Sequence, residues 1–223
     1  MVTNRTTSAI PPLENGDRLT RHEFERRYQA MPHLKKAELI EGVVYVPAAL
    51  RFGNHAEPHS RIMTWLGVYQ AFTSGVRVGD NPTVRLDLDN SPQPDAVLLI
   101  DGGQTTISED DYIEGAPELI VEVAASSAAY DLYDKKRAYR RNGVQEYLVW
   151  RVYENEIDWF SLSAEEYILL QPDSQGIVRS QVFPGLWLDI PSLRSGNMTE
   201  VLAVLQQGLN SSDHQKFKQS LAE

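Results

Sequence analysis

Two carboxylates and one ammonium group are notable in this sequence because folding alone does not require a charge at their positions. Asp95 opens the apolar run 94–100, and Glu122 interrupts a second apolar run at 119–124. Lys135 follows in a segment that predicts a helix. If the two runs are strands of one small sheet, the three groups meet at one end of it. Two carboxylates with a nearby cation are suited to metal-assisted hydrolysis of a phosphodiester.

The cation implied by this chemistry is Mg²⁺ or Mn²⁺. Mg²⁺ is held by one or two carboxylates together with water and substrate phosphate, so Asp95 and Glu122 on adjacent strands would suffice. Carboxylate ligands suit Mn²⁺ as well. Lys135 would then stabilise the developing negative charge or position the attacking water.

Each group also has a purely structural interpretation. Glu122 shares one face of its strand with Glu118, and such a face is commonly solvated in a half-exposed antiparallel strand. Asp95 follows a proline, which is ordinary turn chemistry before a strand. On spacing alone, a solvated helix face is the simpler interpretation of Lys135, and an exposed pair with Asp131 would contribute only about 0.3–0.5 kcal/mol.

The rest of the chain supplies the elements that must position these groups. A capping-box pattern at Thr20 and Glu23 predicts a helix over 21–29, and apolar residues at helical spacing predict another over 58–73. The order helix, strands, helix, strands predicts an α/β fold with a mixed, strongly curved sheet. Further helices are predicted at 131–141 and 199–207, loops at 50–58 and 101–116, and strands at 37–46 (two, turning at 41–42), 76–78, 83–88, 96–100, 118–124, 146–152, 157–162, 166–170 and 181–188.

Composition indicates a soluble protein with one domain. The 223 residues are 42% hydrophobic and 23% charged, and no apolar run approaches a membrane-spanning length. The polar start does not resemble a secretory signal, and the absence of cysteine excludes thiolate chemistry and fits a cytoplasmic protein. We expect an N-terminal arm over 1–19, a single α/β domain over 20–209 and a frayed polar tail over 210–223.

The net charge of −10 argues against a wide basic nucleic-acid surface. A nuclease of this charge needs a local basic strip, contacts made through a metal, or a basic partner. The obvious strip in the sequence consists of Lys135, Lys136, Arg137, Arg140 and Arg141.

The sequence gives less support to a zinc site, a serine hydrolase or a nucleotide-binding loop. His33, His55 and His59 match no compact zinc-ligand spacing, and His59 is expected to cap or pack the start of its helix. There is no Gly-x-Ser-x-Gly elbow for a serine hydrolase and no glycine-rich phosphate loop.

Several short motifs occur in the order found in one known family. They are 38–42 (ELIEG), His59, Pro94-Asp95, 117–123 (PELIVEV), 131–135 (DLYDK), Tyr139 and 143–147 (GVQEY). Together they resemble the Uma2 family of endonucleases over about residues 20–190. The resemblance implies a restriction-endonuclease-like core of the PD-(D/E)XK superfamily, a mixed curved β-sheet flanked by α-helices with additional strands, acting on DNA.

The resemblance also implies roles for individual residues. Asp95 matches the metal-binding aspartate and Glu122 the second acid. The usual lysine two residues after the acid would fall at Ala124, so the family pattern points instead to Lys135 on the following helix. Glu38 matches an additional acid that would join the metal shell, although Glu41 is close enough in sequence to compete. Where the family usually has a serine after the acid strand this chain has Ala125, whereas Ser127 matches.

The expected function is therefore metal-dependent hydrolysis of DNA. The alternatives are a binding module for DNA or protein that keeps the fold but turns over weakly, and a hydrolase of a small phosphorylated substrate. We expect a homodimer, because two related sites most simply cut two antiparallel strands. Repulsion between Asp95 and Glu122 predicts that Asp95→Asn leaves the fold intact or slightly more stable.

Overall fold

The computed structural model describes residues 10–47, 51–125 and 130–222. The helices are α1 Arg21–Gln29, α2 Glu57–Phe72, α3 Lys136–Arg141, α4 Ile190–Ser195, α5 Met198–Leu209 and α6 Ser212–Ser220, and π-helical turns at Phe52–Ala56 and Asp131–Lys135 run directly into α2 and α3. The strands are β1 Glu38–Ile40, β2 Val43–Tyr45, β3 Val76–Asp80, β4 Val84–Arg85, β5 Ala96–Ile100, β6 Thr106–Ile107, β7 Ile113–Glu114, β8 Leu119–Ala124, β9 Glu146–Arg151, β10 Glu156–Ser163, β11 Glu166–Leu169, β12 Ile177–Arg179 and β13 Trp187–Asp189.

A six-stranded mixed sheet forms the centre of the fold, with the strand order β11-β10-β9-β8-β5-β3. Strands β8 and β9 run parallel, and the other neighbouring pairs are antiparallel. A parallel pair needs a crossover connection, and the segment that contains α3 provides it. The predicted mixed α/β architecture is confirmed.

The two faces of this sheet are covered by different layers. Leu119 and Val121 of β8 pack in one buried cluster with Trp65 of α2. Ile120, which points the other way, packs in a second cluster with Tyr139 of α3. The alternation seen in the sequence therefore separates two buried faces, not a buried face from a solvated one.

The β1–β2 hairpin is held beside the central sheet. Its turn residues Glu41 and Gly42 both have positive φ values, 51° and 72°, as two-residue hairpin turns that match the strand twist require. Leu39 forms a bridge with Ser91, just upstream of β5. This docking carries Glu38 towards the end of the sheet where Asp95 lies.

Several local predictions need correction. The segment predicted as a loop at 50–58 contains the π turn Phe52–Ala56, and the predicted loop at 101–116 contains β6 and β7. Helix α1 begins where the capping box predicts, but the Thr20 side chain makes no capping hydrogen bond. Glu23 instead accepts hydrogen bonds from Arg26 and Arg27, both at 2.7 Å, because a charged guanidinium is a stronger donor than a backbone amide.

The segment predicted as a frayed tail contains the helix α6. The Ser211 hydroxyl accepts a hydrogen bond from the His214 amide and caps this helix. The His214 side chain is fully buried: its Nδ1 lies 2.8 Å from the Leu209 carbonyl and its Nε2 lies 2.9 Å from Oγ1 of Thr73. One buried side chain thus anchors a segment that is polar in composition. No helix in the described residues is long and apolar enough to cross a membrane.

We expect the C-terminal helix to make stability depend on pH. Burial lowers the pKa of His214 below its ordinary value of 6.5, so the folded state binds its proton less readily than the unfolded chain. The stabilisation is present above pH 6.5 and declines as the pH falls below that value. Urea unfolding at about pH 7.5 and about pH 5.5 should show a loss from His214 on the order of 1 kcal/mol at the lower pH, set against the opposite change from the raised pKa of Glu122.

Two variants make this test specific. His214→Gln should be less stable at both pH values and should lack most of the pH-dependent difference. His22→Gln, which alters an exposed histidine, should keep the wild-type difference. An undiminished pH dependence in His214→Gln would show that other groups cause it.

Candidate active site

Strand register brings Asp95 and Glu122 together. Strands β5 and β8 pair with Ala96 opposite Val121. The next position outward places Asp95 opposite Glu122, and residues opposite each other in an antiparallel pair project to the same face with Cβ atoms about 4.5–5.5 Å apart. Both side chains line one cavity of about 460 Å³. The two carboxylates that were predicted to meet therefore do so.

The cavity is bounded by the hairpin, the first π turn, β5, β8 and the start of the second π turn. Its lining combines acidic, basic and aromatic side chains. The charged and histidine residues are Lys36, Glu38, Arg51, His55, Asp95, Glu122, Asp131 and Lys135, and the tyrosines are Tyr45, Tyr130 and Tyr153.

Lys135 lies at the centre of the acidic groups. Its Nζ is 2.9 Å from Oε1 of Glu38, 2.9 Å from Oε1 of Glu122 and 3.5 Å from Oδ1 of Asp131. The side chain is 3% exposed, so the interpretation as a solvated helix face is wrong. Burial alone would lower the pKa of Lys135, but the adjacent Glu122 and Glu38 hold it well above its usual value. The group is a permanent ammonium and can only donate.

Glu122 is buried along with the whole of β8, which excludes the solvated-strand interpretation. Its Oε1 accepts hydrogen bonds from Lys135 Nζ at 2.9 Å and from the Tyr139 hydroxyl at 2.7 Å. Burial raises the pKa of Glu122 to about 8; Lys135 opposes the rise, and the charges of Asp131 and Asp95 add to it. Burial is the largest of these effects, so this carboxyl releases its proton less readily than an exposed glutamate does.

Asp95 has different surroundings. Its Oδ2 accepts a hydrogen bond from the Val123 amide at 2.7 Å. Its Oδ1 lies 3.4 Å from Nε2 of His55 and 3.5 Å from Nζ of Lys36. Burial alone would raise the pKa of Asp95, but His55 and Lys36 hold it well below its usual range. Replacing Asp95 by asparagine would therefore remove these attractions together with the repulsion from Glu122.

Glu38 is the hairpin acid that enters the site. Its Oε1 accepts from the Gln93 amide at 2.8 Å and contacts Lys135. Glu41, the alternative, lies 3.1 Å from the guanidinium of Arg141 and 3.8 Å from that of Arg137, outside the cavity lining.

Glu118, on the same face as Glu122, has a structural role. It accepts hydrogen bonds from the amides of Ile100 at 3.0 Å and Gln104 at 2.9 Å, and so fixes the loop after β5. Glu122, by comparison, accepts from side chains and faces the cavity.

His55 and Lys36 are site residues that sequence reasoning missed. The Phe52–Ala56 turn presents His55 to the cavity, where its Nδ1 lies 3.1 Å from the Val123 carbonyl. His59, one turn later, packs at the helix start as expected, with Nε2 3.0 Å from the Asp95 carbonyl. The four-residue spacing of the two histidines is the signal that could have placed both on one helix face. His33 is exposed, Ala125 lines the cavity, and Ser127 lies outside the described residues.

The basic strip seen in the sequence is not a free basic surface. Lys135 is inside the cavity, and Nζ of Lys136 lies 3.4 Å from the centre of the Phe160 ring. The arginines are paired with acids: Arg137 with Asp134 at 3.3 Å, Arg140 with Glu166 at 2.6 Å, and Arg141 with Glu41 at 3.1 Å and Asp87 at 3.4 Å.

The donor set of the cavity fits a divalent cation with an incomplete protein shell. Within residues 10–47, 51–125 and 130–222, no three His, Cys, Asp or Glu side chains are grouped closely enough to hold a metal ion. Mg²⁺ commonly needs only one or two carboxylates, because water and substrate phosphate complete its shell. Asp95 and Glu122, which line the same cavity, supply the two carboxylates that this requires.

Comparisons with known proteins agree with this architecture. The structure is similar to the crystal structure of "a putative nuclease belonging to DUF820" from Anabaena variabilis ATCC 29413, with a TM-score of 0.54 and 16% sequence identity over 81% of this chain and 97% of that chain. At that identity the similarity shows a shared fold. No curated protein matches the sequence. The family model described as "Uma2: Putative restriction endonuclease" matches residues 21–191, and the chain therefore belongs to the Uma2 family.

Proposed function

We propose that this protein hydrolyses phosphodiester bonds in DNA with Mg²⁺ or Mn²⁺ held by Asp95 and Glu122. Lys135 is the cation that stabilises the transition state, and Glu38 is the supporting acid. The observation that carries this proposal is the position of the Lys135 ammonium, buried between Glu38 and Glu122 in the cavity that Asp95 also lines. Membership of the Uma2 family supports a nuclease activity.

The acidic residues and Lys135 have different roles in the proposed reaction. A bound divalent cation would lower the pKa of a water molecule and neutralise phosphate charge. Lys135, always protonated, would stabilise the charge that develops on the phosphate or orient the attacking water. Glu38 and Glu122 both contact the ammonium and hold it in place.

Two observations favour the second candidate, a hydrolase of a small phosphorylated substrate. The arginines of the basic strip are already paired with acidic side chains, and a long duplex normally needs many unpaired basic contacts. A cavity of about 460 Å³ also has the size of a small-molecule site. The catalytic groups would be the same in both cases.

Binding of labelled DNA at increasing salt separates these candidates. Ca²⁺ in place of Mg²⁺ should allow binding while limiting cleavage. Since the arginines of the basic strip are already paired, we expect a shallow plot of log K against log salt, with a slope weaker than about −3, because each neutralised phosphate contributes about −0.9. Anisotropy of a fluorescent oligonucleotide measures this slope. Absence of DNA binding at low salt, with turnover of a small phosphodiester, would favour the second candidate.

We also propose a homodimer, because a twofold pair of sites addresses both strands of a duplex and twofold oligomers are the commonest. Light scattering over a range of protein concentrations tests this. A monomer at every concentration would exclude the dimer and leave the cleavage chemistry unaffected.

A further inference from the structure

His55 has no role in the function proposed above, and its hydrogen bonding determines its tautomer. Nδ1 lies 3.1 Å from the carbonyl oxygen of Val123. A carbonyl oxygen can only accept, so Nδ1 carries the proton and donates it. In the neutral ring, Nε2 then presents a lone pair.

That lone pair faces a carboxylate. Nε2 of His55 is buried and has no hydrogen-bond partner among the described residues, and it lies 3.4 Å from Oδ1 of Asp95. The other carboxylate oxygen, Oδ2, is occupied by the Val123 amide. Two buried acceptors that face each other require a positive charge, which is either a proton on Nε2 or a bound cation.

The distance between these atoms fits two ligands of one metal ion. With metal–ligand bonds of about 2.1 Å, two ligands lie about 3.0 Å apart at the right angle of an octahedron and about 3.4 Å apart at the tetrahedral angle. The observed separation is 3.4 Å. Lys36, which lies 3.5 Å from the same oxygen, has a side chain that is 22% exposed and can move out towards solvent.

We propose that Nε2 of His55 and Oδ1 of Asp95 together ligate a divalent transition-metal cation. This inference rests on the proposed function, since it concerns the same cavity, and it specifies the class of metal. An imidazole nitrogen suits transition metals, whereas Mg²⁺ prefers oxygen ligands and water. The site should therefore favour Mn²⁺ and Co²⁺ over Mg²⁺.

The experiment is calorimetric titration of untagged protein with Mg²⁺, Mn²⁺ and Co²⁺ separately, together with the visible absorption of bound Co²⁺. His55→Asn is the informative variant, because the asparagine amide can donate to the Val123 carbonyl in place of Nδ1 but leaves no atom at Nε2. We expect this variant to bind Mn²⁺ and Co²⁺ at least about tenfold more weakly, with little change for Mg²⁺ and an altered Co²⁺ spectrum. His33→Asn, which removes an exposed histidine, should match the wild type.

Thermal melting without metal establishes that His55→Asn is folded, and His55→Ala serves as the second variant if it is not. Unchanged Co²⁺ affinity and spectrum in the folded variant would overturn the inference and identify His55 as an imidazolium paired with Asp95. Equal loss of Mg²⁺ and Co²⁺ binding would also overturn it, by showing that His55 only supports Asp95. In both cases nicking of plasmid DNA by the wild type would leave the proposed function standing. A wild type that binds none of the three cations would remove both.

Discussion

Asp95→Asn should abolish cleavage, with a loss of at least about 10³ in rate, because a carboxylate that holds the cation and part of the transition-state charge becomes neutral. The asparagine carbonyl can still accept the Val123 hydrogen bond, so the backbone geometry should persist. The measurement is conversion of supercoiled plasmid to its nicked form with Mn²⁺ or Mg²⁺.

The same substitution should cost stability. Asp95 is held in its charged form by its contacts with His55 and Lys36, so the neutral asparagine loses these attractions, at a cost on the order of 1–3 kcal/mol. The matched control is Asp101→Asn, which changes an exposed acid directly after the other end of β5. Cleavage at the wild-type rate by Asp95→Asn would remove Asp95 from the mechanism.

Lys135→Ala should produce the second large effect, on rate and on stability together. Loss of a preorganised cation should lower the cleavage rate by about 10² to 10³. Removing the ammonium also leaves Glu38 and Glu122 buried beside Asp131 without their common partner, and breaking a buried ion pair in this way costs about 3–5 kcal/mol.

Bound Mn²⁺ should partly restore the stability that Lys135→Ala loses. A divalent cation can replace part of the lost positive charge, so Mn²⁺ should raise the melting temperature of Lys135→Ala by more than that of the wild type. The control is Lys136→Ala, which alters a neighbouring lysine that lies over Phe160 and does not line the cavity. An unchanged melting temperature for Lys135→Ala without metal would contradict the buried charge network.

The strands of the site could be predicted from the sequence because their apolar runs are long and regular. The bounds of β5 match the prediction and those of β8 differ by one residue, and the two charged interruptions identified Asp95 and Glu122. The burial of Lys135 could not be predicted from spacing. It depends on the β1–β2 hairpin docking beside β5 and placing Glu38 against the ammonium, a contact between distant segments that no local pattern contains.

His55 was missed for a different physical reason. The turn that presents it is π-helical, with the Ala56 amide bonded to the Arg51 carbonyl five residues earlier, so its residues do not follow the 3.6-residue period by which helices are recognised. The tail was mispredicted because its polar composition gave no sign of the buried His214. Likewise, the basic strip looked free because composition does not show which acids the fold places beside each arginine.

A crystal soaked in Mn²⁺ and measured for anomalous scattering shows directly whether Asp95 and Glu122 hold a divalent cation in the cavity beside Lys135. We expect one strong peak within coordination distance of Oδ1 of Asp95 and on the side of Glu122 that faces the cavity. A crystal with no peak in this cavity at saturating Mn²⁺, or with Mn²⁺ bound only elsewhere on the protein, would contradict this expectation.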